Sequence, residues 1–160
     1  MKLERVLVPV DGSVLAETAL YRAVDLARET GATVSLVRAV EAHTLPGADP
    51  IEAQIAVVKD AEDYLQQIKA RLAESGFRNL ETSVWYGAPS FAIVEAARLR
   101  RADLIVMTTH GRSGLGRLIM GSVAESVLRA TETPILLLRA PGAPLEGARG
   151  VAAPVEAARA

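Results

Sequence analysis

Short apolar runs alternate along the chain with longer stretches in which apolar residues recur every three or four positions. The runs predict five β-strands, at residues 6–10, 33–39, 80–86, 104–107 and 135–138. The longer stretches predict helices, the first of which carries Leu15, Ala19 and Ala23 on one face and ends at Gly31. Strands that alternate with helices indicate a parallel sheet covered on both faces.

Right-handed crossovers restrict the order of such strands. We expect an open, five-stranded parallel sheet in the order 3-2-1-4-5 with helices on both faces, a Rossmann-like α/β fold. Open sheets of this kind bind ligands where the strand order reverses, beyond the carboxyl ends of the strands. That point lies between strands 1 and 4. Asp11 follows strand 1 and a glycine-rich segment follows strand 4, so the two segments are expected to meet at one crevice.

The segment after strand 4 contains Gly111, Gly114 and Gly116 and leads to Gly121-Ser122 at the start of a predicted helix. Glycine lets the backbone approach a ligand closely, and unpaired amides at a positive helix N-terminus suit a phosphate. The same glycines could instead form only a flexible turn. No Gly-Lys-Ser/Thr follows them, so this is not a Walker A loop.

Composition sets the class of protein. The chain has 160 residues, of which 50% are apolar, which predicts one domain at 1–140. A stretch rich in Ala, Gly, Pro and Arg at 141–160 predicts a flexible tail.

The net charge of −1 gives no electrostatic reason to expect binding to nucleic acid or to an anionic membrane. The absence of cysteine excludes disulfides and thiol catalysis. Without a signal peptide or a long apolar stretch, we expect a cytoplasmic protein.

Two segments resemble the ATP-binding branch of the universal stress protein (UspA) family: 8–13 after strand 1, and 109–123 around the glycine-rich segment. The resemblance covers about residues 2–140. That branch has a glycine, two residues, a second glycine, nine residues, and then glycine with serine or threonine. Gly111 and Gly121-Ser122 fit this spacing, and Thr108 stands in place of the first glycine. The resemblance implies an adenine-nucleotide alpha-hydrolase-like fold that binds ATP, or another adenine nucleotide, with Mg²⁺.

The resemblance also implies three groups of ligand contacts. The adenosine part is held by Asp11 and by the backbones of Val10 and Ala39. The ribose and phosphates are bordered by Thr108, His110 and Gly111. The phosphate chain is held by the amides of Gly121, Ser122 and Val123 and by the Ser122 hydroxyl. The candidate site further includes the neighbouring residues Pro9, Met107, Arg112 and Gly114.

Several of these residues have an alternative role. Asp11 could serve only as a helix N-cap. His110 could be structural, and Arg112 could neutralise phosphate or only form part of a solvated face. Thr108 could crowd the ribose or the phosphates. The two histidines, His43 and His110, lie too far apart in the sequence to make a metal site.

The spacing of residues along the sequence does not bring a nucleophile close to a base, nor two carboxylates close to each other, as a catalytic site would require. We therefore expect a stress-response regulatory protein that acts as a nucleotide-dependent dimeric switch. The alternatives are a slow ATPase that uses the same site, and a dimeric interaction scaffold left empty because Thr108 blocks the site. The homodimer is expected to form through the edge strand Ile135 to Leu138, which contains neither charge nor proline. The protein partner remains unnamed by the sequence.

Overall fold

The computed structural model describes residues 2–43, 46–47, 49–109 and 121–139. In chain order, the strands within these ranges are β1 (Arg5–Pro9), β2 (Thr33–Val40), β3 (Leu80–Tyr86), β4 (Leu104–Thr108) and β5 (Ile135–Leu138). The helices are α1 (Val14–Thr30), α2 (Pro50–Glu74), α3 (Pro89–Leu99) and α4 (Ser122–Ala130). The predicted tail at 141–160 lies outside the described residues.

The five strands form one sheet in the order β3-β2-β1-β4-β5, and every neighbouring pair is parallel. This confirms the predicted fold class and strand order. β1 is central: Val6 lies opposite Val34 of β2 on one side and opposite Leu104 of β4 on the other. The carboxyl ends of β1 and β4 are therefore adjacent, as a ligand site at the switch point requires.

Residues of β1 alternate between two apolar cores. Val6 and Val8 point toward α1 and α2, whereas Leu7 points toward α3 and α4, and all three are completely buried. This alternation follows from the two-residue period of a strand. Burial of each such side chain contributes about 1.5–3 kcal/mol, so the two cores hold helices against both faces of the sheet.

Helix α1 is terminated as the sequence predicts. Its last turn is followed by Gly31, which adopts a left-handed conformation at φ 77° and donates its N–H to the Ala27 carbonyl. Its N-cap is Ser13, whose Oγ accepts the Ala16 N–H at 3.1 Å. Asp11 is therefore not the N-cap of α1, which removes the alternative role considered for it.

Helix α2 is long. It begins at Pro50, after the N-cap Asp49, and its 25 residues extend for about 37 Å. Ile55 continues the helical apolar spacing of Ala61 and Leu65, but it is 62% exposed, and Ile51 is 68% exposed. The buried face begins at Ala61, because a helix of this length is longer than the strands it covers.

Candidate functional site

The carboxyl ends of β1 and β4 are adjacent, and an open sheet of this kind forms its ligand crevice at that point. Beyond β1, the Val10 N–H still donates to the Val37 carbonyl, and beyond β4 the Thr109 N–H donates to the Leu138 carbonyl, both at 2.9 Å. The chain then turns from β1 to α1 on one face of the sheet and from β4 to α4 on the other face. The two connections therefore diverge from neighbouring strands, which is the geometry of a switch-point site.

A tight turn closes the β1 side of this crevice. The Oδ1 atom of Asp11 accepts the Ser13 N–H at 2.9 Å. Between them, Gly12 has a φ of 85°, a conformation that glycine adopts without steric cost. The Asp11 carboxylate thus both shapes the turn and lies at the carboxyl edge of the sheet, where a ligand would reach it.

The start of α4 forms the other side. Gly121 is the N-cap, and no side chain of the described residues caps this helix. By contrast, α1 is capped by Ser13 and α2 by Asp49. The first N–H groups of a helix have no partner within the helix, and the dipole is positive there. The start of α4 can therefore accept an anion at the amides of Ser122 and Val123.

The Gly121 amide has a partner of its own. It donates to the Thr109 carbonyl at 2.6 Å, so this N–H already has a hydrogen-bond acceptor within the fold. The exposed Ser122 follows it as the first residue of α4. Of the three amides predicted to hold phosphate, those of Ser122 and Val123 are therefore the better placed.

The structure brings the predicted residues within the described ranges to one edge of the sheet. These residues are Pro9, Val10 and Asp11 after or at the end of β1, Ala39 near the end of β2, Met107 and Thr108 at the end of β4, and Gly121, Ser122 and Val123 at α4. His110, Gly111, Arg112 and Gly114 lie outside the described residues, so their predicted roles stay predictions.

Three of these residues, Val10, Met107 and Thr108, are buried. Met107 packs within the core formed with α3 and α4. Thr108, in place of the family glycine, is only 7% exposed and pairs in register with Leu138 of β5. The Thr108 side chain is thus packed within the protein, and its crowding of a ligand stays a prediction.

Sequence reasoning missed a third part of this edge, which centres on Arg38 of β2. The Arg38 guanidinium carbon lies 4.6 Å from the centre of the Tyr64 ring. The Tyr64 hydroxyl donates to Glu17 Oε1 at 3.0 Å, and Arg71 Nη2 lies 2.6 Å from Glu17 Oε2. The sequence signal was a single arginine inside the apolar run of β2.

Burial changes the acidity of this tyrosine. Removal of the ring from water raises the pKa of Tyr64 above its ordinary value, and the nearby Glu17 carboxylate raises it further. The Tyr64 hydroxyl therefore keeps its proton at neutral pH and remains a donor to Glu17.

The described part of the chain lacks two other features, a metal-binding cluster and a membrane-spanning helix. No cluster of three or more His, Cys, Asp or Glu residues there could hold a metal ion. Nor does that part contain a helix with the length and apolarity needed to cross a bilayer.

Comparison with known proteins identifies the family of this chain. A model of the universal stress protein family matches residues 2–139. The chain belongs to that family. A universal stress protein of Methanocaldococcus jannaschii is 32% identical to it over 143 residues, which cover 86% of this chain and 83% of the relative. The family predicted from segments 8–13 and 109–123 is thereby confirmed.

Solved structures of the family share the fold. Universal stress protein UspA from Lactobacillus plantarum superposes with a TM-score of 0.75 at 28% identity, over 87% of this chain and 99% of its own. A universal stress protein solved in complex with cAMP has a TM-score of 0.59 at 25% identity, over 86% of this chain and 98% of its own. One from Archaeoglobus fulgidus, solved with dAMP, has a TM-score of 0.58 at 23% identity, over 86% and 98%. Some members of this fold therefore bind adenine nucleotides.

Proposed function

We propose that this universal stress protein binds an adenine nucleotide between the Asp11–Ser13 turn and the start of α4, and that occupancy regulates it. What supports this proposal is that β1 and β4 are neighbours in the sheet. An aspartate turn follows β1, and the helix that follows β4 has a start that no described side chain caps. The relatives solved with cAMP and dAMP support an adenine nucleotide as the ligand.

The adenosine part would lie on the β1 side of the crevice. The Asp11 carboxylate accepts hydrogen bonds and would bind ribose hydroxyls. The backbone groups of Val10 and Ala39 lie at the ends of the two neighbouring strands and would line the base. This end of the site would recognise the nucleoside, which AMP, ATP and cyclic nucleotides have in common.

The phosphate chain would lie at α4. The amides of Ser122 and Val123 and the Ser122 hydroxyl supply donors, and charge-assisted hydrogen bonds contribute about 1.5–3 kcal/mol each. Three such bonds and a partly buried base, after the cost of association, correspond to an affinity of about micromolar order, or −8 kcal/mol. With ATP, Mg²⁺ would bind through the phosphates and water.

We further propose that the protein forms a homodimer through β5. Among the described residues this strand pairs only with β4, and its Leu136 is 37% exposed. Beside it runs a groove of about 510 Å³ lined by Arg22, Asp25, Leu26, Arg28, Glu29, Leu136 and Leu138. Two arginines and two carboxylates balance in charge, so the groove can face its own copy across a two-fold axis.

Calorimetry tests the binding proposal. Titration of the full chain with Mg-ATP, AMP and cAMP is expected to give saturable heat for at least one of them at about micromolar concentration. An acid extract of the purified protein, examined by mass spectrometry, would show any nucleotide retained from the cell. No heat and no thermal shift at millimolar nucleotide would leave the scaffold alternative. Single-turnover phosphate release in the same samples would separate a regulatory binder from a slow ATPase.

A further inference from the structure

We propose that Arg38 is a positioning residue of the crevice, which holds the Asp11–Gly12–Ser13 turn in its ligand-ready shape and is itself held by Tyr64. The effect of Arg38 on nucleotide affinity rests on the proposed nucleotide function. The effect of Arg38 on the turn does not, because it depends only on the positions of Arg38, Gly12 and Tyr64 within the fold.

The first contact joins Arg38 to Gly12. A β-carbon at Gly12 would lie 3.5 Å from both terminal nitrogens of Arg38 and 3.8 Å from its Cζ atom. The guanidinium end therefore lies on the side of Gly12 where other residues carry a side chain, with room for about one carbon atom between them. The φ of 85° favours glycine at this position, and Arg38 lies over the outer side of the turn.

The second contact joins Arg38 to Tyr64. The guanidinium carbon lies 4.6 Å from the ring centre, within the range of a cation–π interaction. Both side chains are half-buried, which strengthens the attraction because water screens it less. Tyr64 thus restricts the positions that the long Arg38 side chain can take.

The third link anchors Tyr64. Its hydroxyl donates to Glu17 of α1, and Glu17 is also paired with Arg71 of α2. The Tyr64 ring is therefore fixed between two helices. A continuous line of contacts runs from the turn after β1, through Arg38 of β2, to α2 and α1.

This line of contacts gives Arg38 a role in binding. The turn presents Asp11 to the ligand, and a turn built around glycine has a large choice of backbone conformations to lose. A turn that is ordered in advance spares the ligand that entropic cost. Loss of Arg38 should therefore weaken binding although Arg38 need not touch the nucleotide.

Hydrogen exchange of the ligand-free full chain is the decisive experiment. We expect Arg38→Met to speed amide exchange in the turn at 12–13 by about tenfold, since exchange reports local opening. Exchange across the rest of α1, which Ser13 still caps, should stay as in the unchanged protein. Arg38→Lys should restore part of the protection, because an ammonium also interacts with an aromatic ring.

Variants of Tyr64 separate the ring from the hydroxyl. Tyr64→Phe keeps the ring near Arg38 but loses the hydroxyl bond to Glu17, so it should speed turn exchange less than Tyr64→Leu, which should resemble Arg38→Met. Arg71→Met, which removes the other partner of Glu17 from the same helix, is the matched control and should not affect the turn. Unchanged exchange at 12–13 in both Arg38→Met and Tyr64→Leu would overturn the proposal, and these two variants guard against a folding failure of either one.

Nucleotide titration completes the test. If the unchanged protein binds, Arg38→Met should bind about tenfold more weakly while AMP, ATP and cAMP keep their relative affinities, because the turn serves the shared nucleoside. Equal affinity of Arg38→Met and the unchanged protein would overturn the role in binding. If the unchanged protein binds no nucleotide, the proposed function fails, and the exchange result still decides whether Arg38 holds the turn.

Discussion

The amide nitrogen of Gly121 lies 2.6 Å from the carbonyl oxygen of Thr109. This hydrogen bond joins the residue after β4 to the N-cap of α4, on either side of residues 110–120. The start of α4 is thereby attached directly to the end of the strand that borders the crevice. The anion-binding end of the proposed site is therefore positioned by the sheet itself.

Gly121→Val should abolish ATP binding, with a loss of about 100-fold or more, while the protein stays folded. Gly121 has φ −58° and ψ 146°, which any L-residue can adopt, so the loss would come from side-chain bulk at the phosphate position. Calorimetry with Mg-ATP and a thermal melt measure both effects. Ala88→Val is the matched control, because Ala88 is the equivalent N-cap of α3 and also lacks a side-chain cap bond. Unchanged affinity in Gly121→Val would place the phosphates elsewhere.

Ser122→Asp should stabilise the ligand-free protein and weaken phosphate binding. A carboxylate in the first turn of α4 interacts favourably with the helix dipole, by about 0.3–1 kcal/mol. The same charge repels a phosphate by enough to cost about tenfold or more in affinity. Ser126→Asp adds the same charge at an exposed position one turn further on and should do neither. Urea unfolding and calorimetry on the two variants check the opposite signs, and equal nucleotide affinities for them would contradict the site.

Ser35→Ala should leave stability unchanged or raise it by about 1 kcal/mol. Ser35 lies in β2, is 4% exposed, and its hydroxyl has no hydrogen-bond partner among the residues that the structure describes. The same change at Ser13 should cost about 1 kcal/mol, because Ser13 caps α1. Chemical denaturation compares the two serine-to-alanine variants directly. A marked destabilisation by Ser35→Ala would mean that the hydroxyl has a partner in solution.

Stability should fall in alkali through Tyr64. Its pKa is raised in the folded protein above the ordinary value of 10.0, so the folded state holds this proton more tightly than the unfolded chain. The contribution is complete below pH 10 and is lost as the pH rises above it, because the unfolded state then releases the proton. Tyr64→Phe should flatten this decline. Denaturation midpoints of both proteins between about pH 8 and 11 test the prediction, and parallel curves would refute it.

Leu136→Lys should convert the proposed homodimer to a monomer. The Leu136 side chain is partly exposed on β5, an edge strand among the described residues, and lies beside the charged groove of α1. It is a better probe than Leu137, which packs into the core with α3 and α4 and would perturb folding. Leu99→Lys, at an exposed apolar position at the end of α3, is the control. Light scattering at tens of micromolar decides: a monomeric unchanged protein, or a dimeric Leu136→Lys, would exclude this interface.

Local sequence determined most of the fold. The apolar run at 104–107 and the helical spacing before Gly31 each reflect a period that a strand or helix imposes on its buried face. Alternation of the two elements then restricts the topology, because crossovers are right-handed and short. That order also predicts that the carboxyl ends of β1 and β4 are adjacent, as the structure shows them to be.

The tertiary structure determined the exposure and the contact partners of individual residues, which the spacing of residues along the chain does not specify. Ile55 fits the apolar stripe of α2, yet it is exposed because the helix extends past the sheet. The sequence predicted that the Gly121 amide would bind phosphate, whereas in the structure this amide donates a hydrogen bond to the Thr109 carbonyl. Arg38 contacts Gly12 and Tyr64, residues far from it along the chain, and such contacts depend on which faces of the packed elements meet. Periodicity specifies the buried side of each element, whereas the partners of individual polar groups are fixed only when the elements pack together.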